Sequence, residues 1–193
     1  MEKSLAKIRH ERSKKDFPAL KLEDDEYVEF AFKRARVCLM MIWGAVVFAT
    51  IVILLGFLLV LMGQSMLDDM GQNFVFIILF TLLAAAILIG VVATMLYYGD
   101  RLFVTNKRVI QMVMTSPMSN SINMIDLTSV EDVSFHQNGI LQTFLHYGTL
   151  RLATVGEETT YTFKYSDISD EDLKGVTKLI SDAKKKSKEE TRD

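Results

Sequence analysis

Arg101-Leu-Phe-Val-Thr-Asn-Lys-Arg-Val-Ile-Gln-Met-Val-Met114 is the stretch on which the fold turns. Two apolar, β-rich runs, 102–105 and 108–114, flank Asn106-Lys107. Asparagine readily takes the positive φ of a tight turn, so the stretch reads as a β-hairpin. Further short runs follow at 122–127, 130–137, 149–155 and 160–165, with turn signals at Pro117, Asn138-Gly139, Gly148 and Gly156. In the last run Tyr161, Phe163 and Tyr165 alternate with Thr160, Thr162 and Lys164, the pattern of a half-buried antiparallel strand. A closing helix is announced by Ser169 as N-cap and by Asp170, Glu171 and Asp172 in the first turn, where negative charge suits the helix dipole. Its apolar stripe is Leu173, Val176, Leu179, Ile180 and Ala183, and Lys184, Lys185, Lys186 and Lys188 lie toward its C-terminal end.

Upstream of the hairpin the periodicity disappears. Half of the 193 residues are hydrophobic, and most of the excess lies in two blocks, 38–62 and 74–98. Each runs for twenty-five residues without Asp, Glu, Lys, Arg or His. A helix of that length reaches roughly 37 Å at about 1.5 Å per residue, enough to cross a hydrocarbon core of about 30 Å. Buried core helices would need a soluble shell that the rest of the chain cannot supply. Lys33, Arg34 and Arg36 abut the first block, and Arg101, Lys107 and Arg108 follow the second. The connecting loop, 63–73, has two aspartates and no basic residue. The positive-inside rule therefore places both termini in the cytoplasm of a cell membrane crossed twice. Inside the blocks Ala86, Gly90 and Thr94 recur every four residues, and Ala45 and Ala49 offer a similar face of small residues. Such faces pack the two helices as a hairpin, or pack helices of separate copies.

The arm ahead of the first block divides at Phe17-Pro18. Residues 1–15 read as disordered or loosely helical. Within 22–36, Tyr27, Val28, Phe30 and Phe32 read as juxtamembrane aromatics at headgroup level, with Lys33, Arg34 and Arg36 meeting anionic lipid. The domain layout is thus an arm at 1–37, spans at 38–62 and 74–98 joined by the loop 63–73, a soluble domain at 99–183 and a polar tail at 184–193.

Charge and motif content exclude several functions. The arm carries ten basic and eight acidic residues, and the chain from Gly99 onward twelve and fourteen, so there is no basic stripe for nucleic acid. A single cysteine, Cys38, rules out an internal disulfide and a cysteine zinc site. His10, His136 and His146 are too dispersed for a metal site. No phosphate loop, dinucleotide fingerprint or nucleophile elbow is present, and the Glu157-Glu158 pair reads as a solvated turn beside Gly156. No charge interrupts the spans, which speaks against a proton relay or ion path. The expectation is a non-enzymatic protein without a cofactor.

Three runs carry a family resemblance: Arg101-Leu-Phe-Val-Thr-Asn-Lys-Arg-Val-Ile110, Ile125-Asp-Leu-Thr-Ser-Val-Glu-Asp-Val133 and His146-Tyr-Gly-Thr-Leu-Arg-Leu152. Together they resemble the bacterial PH domain family over roughly 97–180. The two preceding helices and the upstream Leu22-x-x-x-Glu26-x-Val28 also look like its membrane-anchored members. The resemblance implies an α+β fold: a two-helix transmembrane hairpin, then a PH-like antiparallel barrel or sandwich of about six or seven strands capped by a C-terminal helix. In such a fold Val104, Val109 and Ile110 would pack the interior, and Arg108 would pair with a carboxylate or meet the membrane surface. Two functions are expected from it. One is a module that binds a protein partner or copies of itself at the cytoplasmic face of the bilayer. The other is a sensor docking on anionic headgroups through Lys33, Arg34, Arg36, Lys107 and Arg108.

Overall fold

A computed structural model describes residues 2–62, 69–154 and 160–190. They form two compact units, one from 36–98 and one from 1–35 together with 99–193. The turn expected at Gly156 and Glu157-Glu158, residues 63–68 of the connecting loop and the last three residues of the tail lie outside the described residues.

The first unit is a pair of long helices, α2 (Arg36–Met62) and α3 (Asp69–Gly99). Both are long and apolar enough to cross a membrane, and most of their surface is open. Their partly covered positions repeat at spacings of three and four. On α2 they are Ile42, Val46, Ala49, Ile53, Gly56 and Val60; on α3, Phe76, Leu79, Leu83, Ala86, Gly90 and Ala93. This is the seam of an antiparallel coiled hairpin. Gly90 sits where a Cβ would come within 2.8 Å of Val46, and Phe57 meets Phe76 at 4.9 Å between ring centroids. Of the small residues expected at this face, Ala49, Ala86, Gly90 and Thr94 are covered, whereas Ala45 points away from the seam. The Thr50, Thr81 and Thr94 hydroxyls donate to the carbonyl four residues earlier, which satisfies them without water.

The second unit begins with α1 (Glu2–Asp16) and β1 (Val28–Lys33). After the spans it continues with β2 (Arg101–Thr105), β3 (Arg108–Ser116) and β4 (Ser119–Asp126). A 3-10 turn, Leu127–Ser129, leads to β5 (Val130–His136), α4 (Ile140–Phe144), β6 (Gly148–Thr154), β7 (Thr160–Ser166) and α5 (Asp170–Glu190). The strands make two antiparallel sheets, β1-β2-β3-β4 and β5-β6-β7. The architecture is an open sandwich, not a closed barrel. Its interior holds Phe32, Leu102, Val104, Val109, Ile125, Leu150, Leu152 and Phe163, and α5 closes it with Val176 and Ile180. The α5 backbone comes so close to β1 that a Cβ at Gly175 would meet the Phe30 ring at 2.6 Å. Ser169 caps α5 as expected: its hydroxyl accepts from the Asp172 N–H at 3.1 Å, and the Asp172 carboxylate reaches back to Ser169.

Four readings of the sequence change here, one of them that Ile110, expected in the interior with Val104 and Val109, packs on the outer face of β2 and β3. Tyr27, Val28, Phe30 and Phe32 are not a headgroup belt, because Val28–Lys33 is a strand of the sandwich, paired with β2 through Phe30↔Val104 and Phe32↔Leu102. A bulge between Val28 and Phe30 switches faces, so Phe30 and Phe32 enter the interior while Val28 packs outside with Leu20, Phe103, Ile110 and Met112. Residues 2–16 are an ordered helix, tied down where the Ser13 hydroxyl accepts from the Val28 N–H at 3.0 Å. At the β2–β3 turn the positive φ expected of Asn106 is absent; among the described residues other than glycine it occurs at Asp25, His146 and Tyr165.

Candidate functional site

The β2–β3 turn is held by side chains of its own strand ends. Thr105 Oγ1 accepts from the N–H groups of Lys107 (3.2 Å) and Arg108 (2.9 Å), closing the turn without a left-handed residue. Asn106 is thereby free to work across the chain. Its Oδ1 accepts from the Tyr27 N–H at 3.0 Å and its Nδ2 donates to the Asp25 carbonyl at 3.1 Å, in the arm that precedes the spans.

Beside this stitch lies the one acidic side chain in the sandwich that is completely buried, Glu26, among the described residues. Arg108 grips it with two donors, Nε to Oε1 at 2.9 Å and Nη2 to Oε2 at 2.8 Å. The Thr105 hydroxyl (2.8 Å) and the Glu23 N–H (2.9 Å) complete its shell. Burial alone pushes the Glu26 carboxyl up. The hydrogen bonds from Arg108, Glu23 and Thr105, with the charge of Arg108, outweigh it and hold the carboxyl below its ordinary value. The hydrogen bond to Glu26 raises the Arg108 guanidinium in turn. Arg108 also meets Glu23 at 3.2 Å and the Lys21 carbonyl at 3.1 Å. The pair is therefore a polar latch, fastening the arm over the outer face of β2 and β3.

The five cations expected to meet lipid are split between the two ends of β2. Lys33 is exposed at the end of β1, Arg34 forms an ion pair with the buried Asp100, and Arg36 opens α2. Lys107 and Arg108 stand at the other end, five residues along β2 or roughly 17 Å at about 3.3 Å per residue. Lys107 Nζ donates to the Asp24 carbonyl at 3.0 Å. The structure does not bring these five together. Among the described residues no group of His, Cys, Asp and Glu is placed to hold a metal ion, and His10 lies against the Glu26 carbonyl at 2.6 Å.

A second feature is the free edge of the four-stranded sheet. Among the described residues β4 pairs only with β3; it runs eight residues and carries no charged side chain before Asp126, and Ile122 and Met124 on it are about half exposed. The opposite sheet ends at β5, where Glu131 and Asp132 stand on the strand and Lys184 of α5 reaches the Glu131 carbonyl at 3.4 Å. At β1 an isolated bridge, Arg34↔Ser166, ties that edge to β7. The sequence marked β4 only as a strand. Its lack of guarding charge was visible, but its place at an edge was not.

Compared with known proteins, residues 39–184 match the family model described as Bacterial PH domain. No curated protein matches the sequence. Among solved structures the chain is similar to a DUF1696 family protein with a pleckstrin-homology domain from Shewanella loihica PV-4. That match has 17% identity over 44% of this chain and 70% of the other, with a TM-score of 0.33.

Proposed function

The chain belongs to the bacterial PH domain family, and on that premise we propose that it is a non-enzymatic module, anchored in the cell membrane by two spans, that offers the β4 edge to a protein partner or to a second copy of itself. The observation that carries this reading is the unguarded edge. A row of unpaired backbone N–H and C=O groups recruits another strand unless charge, proline or a covering element blocks it, and strand addition is an established mode of peptide recognition. β5 carries such charge within the strand, whereas β4 has none before its last residue, Asp126. The use of Arg108 in the latch with Glu26 favours this reading over headgroup sensing through Lys107 and Arg108.

Both termini lie in the cytoplasm in this reading. β1 precedes the first span and β2 follows the second, yet they are neighbours in one sheet, which supports placing both ends of the helix pair on one side of the bilayer. The basic residues at those ends select the cytoplasmic side.

The test places a photo-reactive amino acid at Ser121 in the full-length protein in its native membrane. Adducts with a protein, or a species of twice the chain mass, are expected, and Ile122→Lys with Met124→Lys should abolish them. Lipid adducts alone would move headgroup sensing ahead.

A further inference from the structure

The sandwich has one end from which both of its connections to the long helices leave, and its own hydrogen bonds define that end. Lys33 of β1 is opposite Arg101 of β2, so Ala35 and Gly99, through which the unit is joined covalently to the spans, leave from one end. The second sheet is fixed to that end too. The Ala35 N–H donates to the Tyr165 carbonyl at 2.6 Å, Arg34 bridges to Ser166, and Ser166 is opposite Gly148.

Two apolar loops share this end. The β3–β4 hairpin draws level with Asp100 at Met114, whose N–H donates to Asp100 Oδ1 at 2.7 Å and whose side chain fills the space beside Gly99. Thr115, Ser116, Pro117 and Met118 continue past that level, about 7 Å further at about 3.3 Å per residue, with Met118 fully exposed. The second loop joins β5 to β6. His136 is opposite Thr149, so everything between them lies at the end marked by Ser166 and Gly148. There Gly139, with φ of 93°, turns the chain into α4, on which Ile140 is 90% and Phe144 79% exposed, with Leu141 exposed beside them.

A water-soluble surface rarely spends so many large apolar side chains on one short helix. We infer that Met118 and the α4 residues Ile140, Leu141 and Phe144 insert into a lipid interface. The occupant is lipid, because the loops share the end of this unit at which Ala35 and Gly99 lead into the two apolar helices. Amphipathic segments settle about 5–10 Å into the headgroup and acyl boundary, the reach of these loops. Contact is by apolar insertion and not by charge: Lys33 and Arg101 at this end are offset by Asp167, Asp170, Glu171 and Asp172, which follow Ser166, so neither sign prevails. Lys107 and Arg108, at the far end of β2, take no part. The inference rests on the proposal that α2 and α3 span the membrane, and its test separates the two.

The test uses the full chain in nanodiscs of phosphatidylcholine, with or without brominated acyl chains, one copy per disc. In a Trp43→Phe background, single tryptophans replace Met118, Ile140 or Phe144, or Thr128 as a control near the β2–β3 turn. Tryptophans at 118, 140 and 144 should emit at shorter wavelength and be quenched several-fold more than the one at 128, equally in low and high salt. If they emit and quench like the control while Trp43 of the unaltered protein is quenched, the spans stand and this inference falls. If Trp43 also escapes quenching, the spanning proposal falls first. Protection that appears only with two copies per disc assigns the surface to a second copy and overturns the inference.

Discussion

Arg108 shows how one side chain can be read twice. As a cation after a membrane span it suggests lipid contact, yet its guanidinium is clasped by a carboxylate 82 residues earlier in the chain. A buried charge that loses its partner is left uncompensated, which typically costs about 3–5 kcal/mol. Arg108→Met should therefore lower stability by about 3 kcal/mol in thermal or denaturant unfolding of the micelle-bound protein. Glu26→Leu combined with Arg108→Met should recover most of that loss, because it removes both charges. The same pair sets a pH dependence. The Glu26 carboxyl is held below its ordinary value in the folded chain. Its contribution is therefore complete above roughly pH 4.3, the unfolded value, and is lost as pH falls through the lower folded value. Arg108 shifts upward and titrates far from this window. Glu26→Gln should flatten the acid limb of stability against pH, and an unchanged acid limb would show that other carboxylates govern it.

Among the elements, the strands and α5 were legible because their signals are local. Tyr161-Thr-Phe-Lys-Tyr165 alternates, and Ser169 stands three residues before Asp172. β1 was misassigned although Val28, Phe30 and Phe32 alternate as well, since aromatics beside a span fit a headgroup belt equally well. The telling signal lay elsewhere. β2 and β3 are apolar without alternation, so both their faces are buried, and an element outside the sandwich had to cover Phe103, Ile110 and Met112. Phe17, Leu20 and Leu22 of the arm do so, with Phe17 edge-on to Phe103 at 5.0 Å. The helix pair yields a prediction of its own. At Gly90 a Cβ would stand 2.8 Å from Val46 Cγ2, and overpacking of this kind costs about 1–3 kcal/mol. Gly90→Ala should lower the melting temperature of the helix signal in circular dichroism, and Val46→Ala should restore it. A neutral Gly90→Ala would indicate that the seam opens at little cost.

For the molecule as a whole, the sheet joins β1, which precedes the two long apolar helices, to β2, which follows them. In a Cys38→Ser background, cysteines at Ser13-adjacent Lys14 and at Lys185 should resist a membrane-impermeant thiol reagent in intact cells and react once the membrane is opened. A cysteine at Asn73 should react in both cases, and labelling of position 14 in intact cells would reverse the orientation. The two long apolar helices, most of the strands and the capped last helix were determined by the sequence alone, because hydropathy, alternation and capping act over a few neighbouring residues. Only the tertiary structure decided that the arm before the spans is part of the sandwich after them, that Glu26 and Arg108 latch the two, and that β4 is the open edge. Those are contacts between segments separated by both long helices, and they depend on how the chain returns on itself, which no local pattern encodes.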